Sequence, residues 1–381
     1  MAAMKPHLTL HTQMPGRPAA SARRMVTLPG RFGMRLGGEL HDVQVAYESW
    51  GALSPAKDNV LLLLTGLSPS AHAASSGDDP STGWWEEMLG PGKAIDTDHF
   101  HVICVNSLGS CHGSTGPASI DSRTGKVYGP AFPKLTIEDV AAAAHALLRA
   151  LGIAHVKAVV GPSMGGMSAL AYALLYPTEV DALVSLSSAT HSEPFSIAVR
   201  SLQRELIRSD GAWAGGQYPP GEGPREGMRL ARKLGMISYR SAREWSERFG
   251  RERAKDAGID SFGVEFEIEA YLESRAQSFV GAFDPNSYLY LSRAMDLFDV
   301  AEHGGSVDKA FKRLHLKKAL IVGVETDILF PLHQQQALAD ALRCAGVDAH
   351  FEPLASRQGH DSFLVDMERF RPAVGEFLAT L

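Results

Sequence analysis

The stretch Ala158-Val159-Val160-Gly161-Pro162-Ser163-Met164-Gly165-Gly166-Met167 constrains this chain more than any other. A valine-rich apolar run ends in glycine, and a serine follows with glycine spaced on either side as Gly-x-Ser-x-Gly. That spacing predicts a strand, a tight turn and a helix, with Ser163 at the tip in a strained backbone conformation. Glycine is needed on both flanks because neighbouring backbone passes too close for a Cβ. The helix expected over 168–176, ended by Pro177, aims its N-terminal amides at the hydroxyl, where they would stabilise negative charge. Ser163 is therefore a candidate nucleophile; an ordinary glycine-rich turn is the plainer reading.

The flanking sequence supports a sheet behind that turn. Val60–Leu64, His101–Asn106, Ala182–Ser188 and Ala319–Val324 are short, nearly continuous apolar runs, the pattern of strands buried on both faces. From Met25 to Trp50 the runs are extended and broken by glycine, and 42–47 alternates polar with apolar, which predicts an antiparallel edge. Thr136 to Gly152 reads as a helix, with a threonine cap, Glu138 and Asp139 in the first turn, and glycine at the end. Strands alternating with helices predict an α/β fold with a parallel-rich sheet. After Ser188 the alternation stops. Helical runs at 195–208, 225–234, 242–252 and 266–279 surround a Gly/Pro-rich break at 211–227, and a strand at 350–354 follows the resumption at 319. The expected division is a leader over 1–24, a core over 25–190 and 313–381, and a helical lid over 191–312 inserted after the sixth core strand.

Composition excludes several classes. The 381 residues are 45% hydrophobic, ample for a core, and 43 acidic against 37 basic residues give a net charge of -6, which argues against a nucleic-acid partner. Cys104, Cys111 and Cys344 are odd in number and lack metal-ligand spacing, so no metal site is expected and the thiols fit a reducing compartment. No apolar run approaches the ~20 residues that span a bilayer, so the chain is expected in the cytoplasm and off the membrane. The Gly/Ser-rich stretch Gly109–Pro117 follows a strand at the end of the sheet where ligands bind; a merely flexible loop is the alternative.

A serine hydroxyl needs a general base and a group that orients the base. In α/β-hydrolase order the serine comes first, then Asp or Glu, then His. Asp327 follows the run 319–324, and His360 follows the run at 350–354 in Gly359-His360-Asp361. Asp361 and Asp366 are rival acids, beside or beyond the histidine. The oxyanion hole selects the backbone N–H of Met164, after the nucleophile, and of Leu67, in the loop after an early strand.

With these residues the chain resembles the homoserine O-acetyltransferase family, acyl-CoA-dependent acyltransferases of the α/β-hydrolase fold that include succinyl-transferring and serine-accepting members. The likeness rests on Trp84-Trp85, Gly90–Thr97, Gly113–Pro117, Thr124-Gly125-Lys126, Phe132-Pro133, Gly161–Met167, Asp327-Ile328-Leu329-Phe330-Pro331 and Gly359-His360-Asp361. It implies Ser163, Asp327 and His360 as a triad, an acyl-enzyme on Ser163, and a small hydroxy amino acid as acceptor. By the same resemblance Arg232 and Asp361 hold the acceptor's carboxylate and ammonium, Tyr239 adds a contact, and the protein is a homodimer. No bound cofactor is implied.

Two departures bear on specificity. The loop Gly66-Leu67-Ser68-Pro69 differs from the usual Ala-Leu-Thr-Gly, which affects the acceptor. Arg200, one helical turn before Arg204, stands where the family commonly has Asn, and its guanidinium suits a carboxylate that succinyl carries and acetyl lacks. The expectation is transfer from succinyl-CoA to the hydroxyl of L-serine, toward cysteine. Homoserine O-acetyl- or O-succinyl transfer, toward methionine, is the alternative; a serine hydrolase and a catalytically dead binding module are readings of other classes.

Overall fold

The computed structural model describes residues 21–381 apart from 220, 256 and 259. The expected leader thus lies almost wholly outside the described residues, and Arg24 already opens the first strand. The main sheet has strands β1 (Arg24–Gly33), β2 (Glu39–Trp50), β3 (Val60–Leu64), β4 (His101–Val105), β5 (Val156–Pro162), β6 (Val180–Leu186), β7 (Lys318–Val324) and β8 (Asp348–Leu354). Their spatial order is β1-β2-β4-β3-β5-β6-β7-β8. β1 and β2 pair antiparallel, β2 joins β4 antiparallel, and every later pairing is parallel.

β3 shows why its sequence is continuously apolar. Val60, Leu62 and Leu64 point to one face and pack with α1 (Ile137–Ala150) and α2 (Met164–Leu175). Leu61 and Leu63 point to the other, toward Trp85 and the C-terminal helix Met367–Leu378. Burying one leucine side chain contributes roughly 1.5–3 kcal/mol, so the strand centre is fixed from both sides. Thr136 caps α1 as its sequence predicts, in a reciprocal capping box with Asp139.

Between β6 and β7 the chain leaves the sheet for a helical insertion: α3 (Pro194–Ser209), α4 (Arg225–Tyr239), α5 (Ala242–Phe249), α6 (Glu267–Phe279), α7 (Pro285–Leu297) and the short α8 (Val307–Phe311). α4 runs on past Leu234 because Gly235 continues the helix instead of ending it. A Cβ there would lie 2.9 Å from Gln203 Nε2 on α3, so glycine permits the close helix packing. α7 is unannounced by the apolar pattern, although Asp284 caps it and Pro285 is its first residue.

The loop Gly109–Pro117 is tied to the sheet through Ser114 and Thr115. Ser114 Oγ accepts from Ala46 N at 2.9 Å and donates to Asn106 O at 2.6 Å, and Thr115 Oγ1 accepts from Gln44 N at 2.8 Å. These bonds fasten the antiparallel edge to the parallel sheet. Among the described residues, no helix is long and apolar enough to cross a membrane, and no group of three or more His, Cys, Asp or Glu is placed to hold a metal ion.

Candidate active site

β5 ends at Pro162 and α2 begins at Met164, so the helix starts earlier than the expected 168 and Ser163 alone makes the turn. Its φ of 55° and ψ of -122° lie outside the ordinary regions for a side-chain-bearing residue. A Cβ on Gly161 would sit 2.1 Å from the Gly165 carbonyl carbon, and one on Gly165 would sit 2.1 Å from Leu64 O. Both flanking glycines are therefore sterically required. Ser163 N donates to Leu186 O at 2.8 Å, which ties the strained residue to β6.

His360 Nε2 lies 2.8 Å from Ser163 Oγ, and His360 Nδ1 lies 2.7 Å from Asp327 Oδ2. An ionised carboxylate only accepts, so Nδ1 carries the proton and Nε2 is left to accept from the serine hydroxyl. The other Asp327 oxygen accepts from Leu329 N at 2.8 Å and Phe330 N at 3.0 Å, which locks the carboxylate. Of the three candidate acids, Asp327 is the one on His360 Nδ1; Asp361 binds Arg240 at 3.2 Å and Asp366 binds Arg369 at 2.9 Å. Burial opposes the imidazolium, but Asp327 outweighs it and Asp361 adds to the effect, so the His360 pKa is raised even though Arg200 acts against it. Met164 is the first residue of α2, where an N–H has no acceptor within the helix. Leu67 lies in the turn 66–69, whose Ser68 carbonyl accepts from His112 Nε2 at 3.1 Å. His112, hidden in the sequence within the Gly109–Pro117 loop, thus holds the 66–69 loop. Burial lowers its pKa despite that carbonyl, so it donates as a neutral ring.

The matching family model, described as alpha/beta hydrolase fold, covers residues 59–366. The serine O-succinyltransferase of Litchfieldella anticariensis is 58% identical over 361 residues, spanning 94% of this chain and 98% of that one. The L-serine/homoserine O-acetyltransferase of Streptomyces lavendulae is 57% identical over 364 residues, spanning 94% and 97%. The chain belongs to the serine and homoserine O-acyltransferases of the α/β-hydrolase fold. The solved structure of homoserine O-acetyltransferase from Bacillus anthracis matches it with a TM-score of 0.86 at 29% identity, over 93% of this chain and 97% of that one.

In this acyltransferase the insertion reaches the triad through α4, whose Tyr239 packs on His360, and through α3, whose Ser196 hydroxyl bonds Leu329 O beside Asp327. Arg232 on α4 lies with its guanidinium 4.4 Å from the Phe279 ring centre and 5.9 Å from that of Tyr239, and among the described residues its buried Nε has no hydrogen-bond partner. Tyr239 in turn packs 6.1 Å from the His360 ring. Asp361 is not a free carboxylate, because Arg240 Nε donates to it while Arg240 Nη1 bonds Glu244 at 2.8 Å. Burial works against the Arg240 charge, but Asp361 and Glu244 raise its pKa on balance. Tyr288 on α7 is a residue the sequence did not single out. Burial foremost, with Tyr239 next to it, holds its phenol protonated, and the charges of Arg232 and Arg200 oppose this.

Arg200, expected to meet a carboxylate of the acyl group, already has partners within the protein. Its Nε donates to Asp296 at 2.6 Å and its Nη2 to Ser192 Oγ at 2.5 Å, within a buried site. Asp296 is 96 residues away in sequence, and no local pattern announces it. Finally, Gly359 at φ +68° presses on the end of α4: a Cβ there would lie 2.8 Å from Tyr239 O and 2.9 Å from Ser241 N. The turn that presents His360 is thus packed directly against the insertion.

Proposed function

We propose that this chain transfers a succinyl group from succinyl-CoA to the hydroxyl of L-serine through an acyl-enzyme on Ser163, a step toward cysteine. The observation that carries the reading is the Ser163–His360–Asp327 hydrogen-bonded line on a strained turn at the N-terminus of α2. His360 Nε2 takes the serine proton as Oγ attacks the thioester carbonyl, and the N–H groups of Leu67 and Met164 receive the developing oxyanion. The C–S bond then breaks, and the CoA sulfur leaves with the proton held on His360. In the second half His360 takes the proton of the acceptor hydroxyl, that oxygen attacks the ester, and Oγ regains a proton as the O-acyl product departs. Arg232 and Asp361 are the groups for the acceptor's carboxylate and ammonium, with Tyr239 and the loop 66–69 shaping its space. Arg200 faces the donor's distal carboxylate.

Relatives at 53% and 58% identity named serine O-succinyltransferase favour serine and succinyl, while the Streptomyces relative at 57%, named for serine and homoserine with acetyl, supports the second reading. A cytoplasmic homodimer completes the proposal; the free Cys104, Cys111 and Cys344 suit a reducing compartment. The test is CoA release from acetyl-CoA and succinyl-CoA with serine, homoserine or no acceptor, alongside intact-mass spectrometry of wild type and Ser163→Ala. The proposal expects the highest kcat/KM for succinyl-CoA with serine and a covalent adduct in the wild type alone. An adduct surviving in Ser163→Ala would refute the acyl-enzyme, and a preference for acetyl-CoA or homoserine would move the assignment to the second reading.

A further inference from the structure

Asp296 holds two arginines, not one. Arg200 Nε meets its Oδ1 at 2.6 Å, and Arg204 Nη2 meets its Oδ2 at 2.6 Å as an ion pair that is not aligned for a hydrogen bond. All three side chains are more than nine-tenths buried. The remaining partners are neutral: Ser192 Oγ, which donates to Met295 O at 2.9 Å and accepts from Arg200, and Ser292 Oγ, 2.8 Å from Arg204 Nη1. Two positive charges against one negative leave the cluster with a net charge of one. The exposed Arg293 adds positive potential; burial chiefly, and then Arg293 and Arg200, bring the Arg204 pKa down against the pull of Asp296.

A buried arginine paired one-to-one with an acid offers little to a substrate carboxylate, because its charge is already spent on its partner. Arg204 removes that obstacle. Resting on the succinyl-CoA reading above, we infer that Arg204 is a specificity-determining positioning residue: by occupying Asp296 it leaves the Arg200 charge available for the distal carboxylate of a dicarboxylic acyl donor. Arg204 sits four residues beyond Arg200 on α3, about 6 Å along the axis, so it acts through Asp296 and not by touching the acyl group. Arg200 keeps donors for that purpose, since a guanidinium has five N–H groups and the bonds to Asp296 and Ser192 use one each.

The charge sum makes the inference testable by variants that change it and restore it. Arg204→Leu brings the cluster to zero. It is expected to lower the ratio of kcat/KM for succinyl-CoA over acetyl-CoA by about ten- to a hundredfold, the range of a lost hydrogen bond to a charged group. Arg204→Leu with Asp296→Asn returns the sum to one through Arg200 alone and is expected to recover most of the ratio, and Arg204→Lys is expected to retain it. Thermal melts accompany each variant, and if Arg204→Leu does not fold the other two still decide. An unchanged ratio in Arg204→Leu, or a double variant with the ratio lost, overturns the charge mechanism. A wild type that prefers acetyl-CoA would instead overturn the donor reading, and this inference with it, before any variant is compared.

Discussion

Replacing Asp327 by Asn tests the triad at the atom where its logic resides. Asp327 Oδ1 accepts two backbone N–H bonds, from Leu329 and Phe330, so the Asn oxygen is held there and its NH2 group takes the place of Oδ2, 2.7 Å from His360 Nδ1. Turning the amide over would set its NH2 against two buried donors, at roughly 1–3 kcal/mol each. The imidazole must then accept at Nδ1 and carry its proton on Nε2, facing Ser163 Oγ, where it cannot act as a base. A wrong tautomer with intact geometry costs about 10⁴ in rate, roughly 5 kcal/mol. The pH profile should move as well. A base works when neutral, and Asp327 raises the His360 pKa, so the acid limb of wild-type kcat/KM is expected above the ordinary imidazole value. In the variant burial remains and the Asp327 contribution is gone, so that limb should shift to lower pH. Rapid-mixing measurement of thiol release from acyl-CoA, with enzyme near stoichiometric and across pH, reads both quantities. A loss smaller than about tenfold, or an acid limb that stays put, would refute this account of Asp327.

Asp361→Asn is expected to raise the acceptor KM by about tenfold or more while the first burst of CoA release stays close to normal; loss of the burst would assign Asp361 to the support of His360. Gly165→Ala forces a Cβ to within 2.1 Å of Leu64 O, so denaturant unfolding should show a loss beyond about 3 kcal/mol or no folded protein at all, and ordinary stability would contradict the packing of the elbow. His72 has its pKa raised to about 9, first by its hydrogen bond with Glu48 and against the effect of burial. A raised folded pKa means that this stabilisation is fully present below about 6.5, the unfolded value, and is lost as pH rises through about 9. Melting temperatures of wild type and His72→Gln should therefore converge across that window; a constant gap would show that the pair contributes no proton-linked stability.

The elbow, the buried strands and the Ser-Asp-His order were legible because each is written in neighbouring residues: an apolar run, two glycines, a histidine after a strand. The helical insertion was legible as a change of period. What escaped depends on contacts between distant segments. Asp296 reaches Arg200 across 96 residues and Arg240 reaches Asp361 across 121, and neither pairing has a spacing that could announce it. The end of α4 was misplaced at Leu234 because Gly235 reads as a stop signal, while its real cause is the approach of α3. Likewise the Gly109–Pro117 composition fits a ligand loop, and the contacts of Ser114 and Thr115 with β2 have no local signal.

The contact of Gly359 with the last turn of α4 ties two parts of the chain that are far apart in sequence into one mechanical unit. The backbone of residues 239–241 and that of Gly359, which precedes His360, share a boundary with no room for even a methyl group. The core holds the same turn from the other side, where the Thr326 hydroxyl accepts from Gly359 N at 3.0 Å and Asp327 holds His360 Nδ1 at 2.7 Å, so the base is clamped between the sheet and the insertion. A chimera carrying another relative's insertion on this core would have to reproduce that close backbone fit against Gly359, or bring the 357–361 turn along with it.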